Sequence, residues 1–146
     1  MSIIDTAMRV VHVLFAGTWT GGTLLMAAVV LPAARDGRLS ASALEGILDR
    51  FTYLTLASAG LLFVTGGHLA GTGYTVEALL GTGRGHLVLG MLGLWLVLAG
   101  ILHVGTRGMQ DELDGGNVES AVASGLPWYQ FGGVVSAALL VVAGLL

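Results

Sequence analysis

The sequence predicts an all-α integral membrane protein, a four-helix bundle running up-down-up-down through the bilayer. Three observations carry that expectation. Hydrophobic residues make up 55% of the 146 residues, and only 10% are charged. The mean hydropathy is +0.87, far above a water-soluble domain. The apolar residues fall into four runs, each long enough to cross a hydrocarbon core of ~30 Å at 1.5 Å per residue. The expected spans are about 7–31, 51–71, 86–106 and 127–146, in a single transmembrane domain.

The first run, Arg9–Pro32, holds a histidine, a tryptophan and three glycines. Asp5 or Thr6 is placed to cap it, and Pro32 marks its end. No small-residue cleavage site follows a short apolar core, so the run reads as a retained span. Ala33–Ser40 is a polar loop. Ser42 with Glu45 has the spacing of a capping box, followed by an amphipathic stretch and the second span, Phe51–Gly71. A glycine-rich connection, Gly71–Gly85, leads to the third span, His86–Thr106. Arg107–Gly125 is expected to be an acidic loop. Pro127 suits the first turn of the last helix, Trp128–Leu146.

All six cations are arginine and the formal charge is −3. No basic footprint exists for nucleic acid. With no cysteine, disulfides, thiolate metal sites and cysteine nucleophiles are excluded. Four arginines (Arg35, Arg38, Arg50, Arg107) flank one face of the membrane and two (Arg9, Arg84) the other, which places the first face in the cytoplasm of a multi-pass cell-membrane protein. Aromatics at Phe51, Tyr53, Trp128 and Tyr129 form a belt at that face. The partner implied by composition is the lipid bilayer. Glycine seams such as Gly17–Gly21 allow close helix approach and a homodimer.

The histidines carry the chemical information. His12 lies ~30 Å from Pro32 along a helix, His68 ~25 Å from Phe51, and His86 ~30 Å from Thr106. On antiparallel helices these counts bring three imidazoles from three spans to one level. His103 lies ~25 Å from His86 and has no histidine companion. Imidazole in a membrane span needs a polar partner or a ligand, because unsatisfied polar groups in lipid are costly. A lone histidine is equally served by a structural hydrogen bond, and that reading is preferred for His103. For His12 and His68 the shared level points to a shared metal, while His86, at the mouth of its helix, is either a third ligand or merely interfacial. The expected ligands are His12, His68 and His86, with His12 and His68 the first choice of pair.

Three imidazoles suit copper or zinc. Two on facing helices suit the iron of haem b. The His12 face carries Phe15 and Trp19, the His68 face carries Thr65, and Gly90 follows His86, so a flat prosthetic group has a smooth slot. Arg9 and Arg84 are positioned to meet its propionates. The resulting expectation is a b-type haem protein transferring electrons to or from a quinone or an external redox protein, or handling haem. Copper bound directly by the histidines is the alternative, and a non-catalytic packing subunit of a larger membrane complex is a third.

Arg9-x-x-His12, followed by Trp19-x-Gly21-Gly22 and Leu31-Pro32, resembles the first span of the copper-resistance D (CopD) superfamily. Thr65-Gly66 is similar to that family's second helix. The resemblance implies handling of copper or haem. The protoporphyrinogen oxidase family HemJ is similar in its His…Trp…Gly opening. It carries arginine directly after Leu-Pro and a lysine in a later span, whereas this chain has Ala33 and no lysine.

Overall fold

The computed structural model describes residues 2–146 and is all-helical, with four helices long and apolar enough to cross a membrane. Helix α1 spans Ile3–Arg35, α2 Ala41–Gly73, α4 Gly83–Asp114 and α5 Val118–Leu145. A short helix α3, Val76–Gly81, lies in the connection between the second and third spans. Consecutive spans pack antiparallel, and α5 closes the ring against α1. Val13, Leu14, Leu56, Phe63, Leu96, Val134 and Val141 are exposed on the outside, where a bilayer solvates them.

Several boundaries differ from the sequence expectation, each for a local reason. The cap of α1 is Ser2, whose hydroxyl accepts from the Asp5 amide while the Asp5 carboxylate accepts from the Ser2 amide. Asp5 is thus the third helical residue, the partner in a capping box rather than the cap. The cap of α2 is Ser40, two residues before the expected Ser42, and its hydroxyl accepts from the Ala43 amide. The acidic segment is mostly helical: α4 runs on to Asp114, and Asn117 caps α5 through the Ser120 amide. Only a tight turn separates them, and Gly116 supplies its left-handed residue at φ 75°. Pro127 consequently sits inside α5 rather than at its start.

Pro32 also leaves a mark. It has no amide proton, and its ring crowds the carbonyl four residues back. The chain accommodates it with a π-helical turn over Met26–Val30, in which the Leu31 amide donates to the Met26 carbonyl.

The core is concentrated at the end of the bundle holding the α1–α2 and α4–α5 turns. Leu31, Leu44, Leu48, Met109, Val122 and Tyr129 are all 2% exposed or less. There α4 and α5 touch most closely: a Cβ on Gly105 would lie 2.8 Å from the Trp128 Cβ, and one on Gly125 would collide with Met109. The buried Tyr129 hydroxyl pairs with Thr106 Oγ1 at 2.6 Å, and its ring lies 5.8 Å from Phe51. At the other end the pattern reverses. No side chain of α1 before Trp19 is fully buried, none of α2 after Thr65, and none of α5 after Leu139.

Candidate functional site

The loosely packed end holds the histidines, and the α1–α2 seam arranges two of them. Asp5, His12 and Trp19 recur at intervals of seven residues, so they fall on one stripe of α1, ~10 Å apart. Each forms a hydrogen bond to α2. His68 Nε2 donates to Asp5 Oδ1 at 3.0 Å, His12 Nδ1 pairs with Thr65 Oγ1 at 2.9 Å, and Trp19 Nε1 donates to Thr55 Oγ1 at 3.2 Å. Met26, the next position on the stripe, is buried and apolar. Three polar rungs therefore set the register of the two helices, each contributing about 0.6 kcal/mol in a bilayer.

The rung at His12 is the most constrained. The Thr65 hydroxyl donates to the Leu61 carbonyl at 2.6 Å, so its oxygen is left to accept from His12. That assigns the proton to Nδ1 and leaves a lone pair on Nε2. The ring lies in a notch made by Gly66, where a Cβ would come within 3.1 Å of Cε1. His12 is half-buried, and no protein group among the described residues bonds to Nε2. A fixed tautomer with one nitrogen held by an oxygen and the other free is how metal-binding imidazoles are oriented.

His68 is half-buried at the rim of the same seam, one helical turn outward from Thr65. Its Nε2 is committed to Asp5, itself held by Ser2, which leaves Nδ1 as the free nitrogen. His86 begins the third span at this same end, yet it is exposed and its Nε2 donates to the Leu80 carbonyl of α3 at 2.8 Å. The structure thus brings His12 and His68 to one seam and ties His86 to its own connection. Among the described residues, no group of three or more histidine, aspartate or glutamate side chains is placed to hold a metal ion. His103 is exposed on the outer face of α4 toward the other end.

The remaining expected residues fall as follows. Arg9 and Arg84 are exposed, and neither lies within ion-pairing distance of a carboxylate among the described residues. Phe15 is half-buried against the core, and Trp19 is fully buried as the third rung rather than as a lining residue. Gly90 is exposed with open space beside it. Two participants escaped the sequence reading: Asp5 as the partner of His68, and Gly66 as the notch for His12. The seven-residue recurrence of Asp5, His12 and Trp19 was the available signal for the first.

A surface depression of about 440 Å³ lies at the opposite end, lined by Glu45, Asp49, Arg107, Gln110, Asp111, Leu113 and Asp114. Its open, charged walls are those of a solvated rim, at the end of the bundle away from His12, His68 and His86. Comparison with protein-family models, curated proteins and solved structures finds no match.

Proposed function

We propose that this chain is a b-type haem protein of the cell membrane, in which His12 and His68 would hold the iron. The single observation that supports it most is the His12 rung. Thr65 holds Nδ1 and Gly66 positions the ring, so Nε2 is presented with its lone pair in a half of the bundle that lacks a fully buried core of its own. For His68, the Asp5 carboxylate plays the part that Thr65 plays for His12, leaving Nδ1 to bind. Arg9 and Arg84, exposed at the same end and without carboxylate partners, are suited to the propionates. Held by these two imidazoles, the group would supply one-electron chemistry, with a quinone or a redox protein as the partner. The roles of the chain itself are to orient the two imidazoles and to keep the group in an apolar setting.

The test is an absorption spectrum of protein purified from haem-supplied cells or reconstituted with haem in detergent. The expected result is a Soret band, shifted on reduction, that is lost in His12→Ala and weakened in Thr65→Val. A wild-type protein without that band refutes the proposal. Stoichiometric copper without porphyrin would instead favour the direct copper reading, which the scattered positions of the three histidines do not support.

A further inference from the structure

Among the described residues, three side-chain polar atoms are buried with no hydrogen-bond partner: Ser58 Oγ on α2, Trp95 Nε1 on α4 and Ser136 Oγ on α5. Ser58 and Ser136 are 0% exposed. In a bilayer such groups are costly, because no bulk water reaches them and lipid offers nothing in exchange.

Cross-helix contacts place the three near one level. Trp19 bonds to Thr55, and Gly22 abuts Phe51 and Leu54, which sets Ser58 beside Trp19. Gly132 abuts Thr23 of α1 together with Leu98 and Leu102 of α4, which sets Ser136, one turn further on, level with the stretch between Trp95 and Leu98. Trp95 shares an inward stripe with Leu98 and Leu102, and its ring is 6.1 Å from Phe63 of α2. The three atoms thus come from three helices and lie within about one helical turn, ~5 Å, of one level along the bundle axis.

Their chemistry is complementary to one ligand. The indole N–H is a donor only, and a serine hydroxyl can donate or accept. A water molecule that accepts from Trp95 and from one serine and donates to the other gives each of the three atoms a partner, with the usual number of bonds for a buried water. The polar rungs of the α1–α2 seam, Asp5–His68, His12–Thr65 and Trp19–Thr55, lead from the histidine end down to this level. Beyond it, Leu48, Leu98, Leu102 and Met109 are at most 1% exposed and close the bundle.

We infer that Ser58, Trp95 and Ser136 form an interior water site at the foot of a half-channel that opens at the histidine end and is sealed at the other. It gives water, and protons carried by water, access to the level below His12 without a path across the membrane. The inference stands apart from the haem reading, since it is tested on protein without any bound group.

The experiment uses the full chain in lipid nanodiscs with ¹⁵N-labelled tryptophan. The sequence has three tryptophans, so three indole signals are expected and single Trp→Phe variants assign them. The Trp95 indole proton should show a cross-peak to water and exchange on the order of tenfold faster than that of Trp19, which is bonded within the protein. Ser58→Ala and Ser136→Ala should each shift the Trp95 signal. A Trp128 signal at its wild-type position shows that a variant is folded. His68→Phe, which fills the seam at the rim, should slow Trp95 exchange. The site is refuted if Trp95 lacks the water cross-peak, or if both serine variants leave its signal unmoved. Unchanged exchange in His68→Phe overturns the assigned entrance.

Discussion

Gly66→Ala isolates the notch that positions His12. An added Cβ would stand 3.1 Å from Cε1 and 3.7 Å from Nδ1 of that ring. Carbon atoms are at their best separation near 3.5–4.0 Å, so the imidazole must retreat by about 0.4 Å or more. It is held by a 2.9 Å hydrogen bond to Thr65, the residue next to Gly66, so the retreat stretches that bond toward the limit of useful geometry. A hydrogen bond of this kind contributes about 0.5–1.5 kcal/mol net, and that is the scale of the loss. Against it stands the gain of replacing glycine by alanine inside a helix, about 0.8–1.0 kcal/mol. The two effects nearly cancel at Gly66.

Gly67 provides the control. It neighbours Gly66 in α2, is exposed, and would meet nothing within 4 Å. Gly67→Ala should therefore keep the whole helix gain. The difference between the variants removes the propensity term and leaves the contact, about 1 kcal/mol, or roughly fivefold in an equilibrium constant. Thermal unfolding of the protein in detergent gives the stability difference. Haem titration gives the corresponding affinity, and ¹⁵N shifts of the His12 ring report whether the proton stays on Nδ1. Equal stabilisation by the two variants, with the His12 tautomer unchanged in both, would falsify the claim that Gly66 positions the ring.

The tightly packed end supports two further tests. Gly125→Ala should destabilise by about 1–3 kcal/mol, since its Cβ collides with Met109, and Met109→Ala in the same chain should recover part of the loss in a thermal melt. Tyr129→Phe removes the partner of a buried Thr106 hydroxyl and should lower stability by about 1 kcal/mol, without altering any spectrum of a group bound at the histidine end. A spectral change in that variant would show that the two ends are not independent.

The four helices were legible because hydropathy over twenty residues is a strong signal that local detail rarely overrides. Helix ends were less so. The stretch from Arg107 to Gly125 reads as an acidic loop by composition, but Asp111, Glu112 and Asp114 lie on the last turns of α4 and Glu119 in the first turn of α5. Charged residues there extend the helices beyond the apolar core, and polarity alone does not distinguish a solvated helix from a loop. Similarly, Pro127 looked like a helix start, because proline is favoured there, yet Asn117 caps the chain ten residues earlier.

At the site, counting residues along helices located the histidines at one end but could not tell what each ring touches. That depends on the rotation of each helix about its axis. His12 and His68 both face the α1–α2 seam because α1 repeats its polar residues every seven positions. His86 starts its helix beside α3, where the Leu80 carbonyl is within reach. The decisive partner of His12 is a threonine whose own proton is already given to Leu61, a pairing no spacing rule contains.

The bundle therefore consists of two ends built on different principles. Where α4 and α5 pack through Gly105 and Gly125, close apolar contact fixes the helices and leaves no room for anything else. Where α1 and α2 meet above Trp19, packing is looser and register is set by hydrogen bonds between side chains that can also bind a ligand or pass a proton. Loose packing alone would let those helices slide, and the polar rungs alone would not hold a bundle together. The rigid end supplies the stability that allows the other end to keep imidazoles half-buried and only partly satisfied, which is the state a binding site requires.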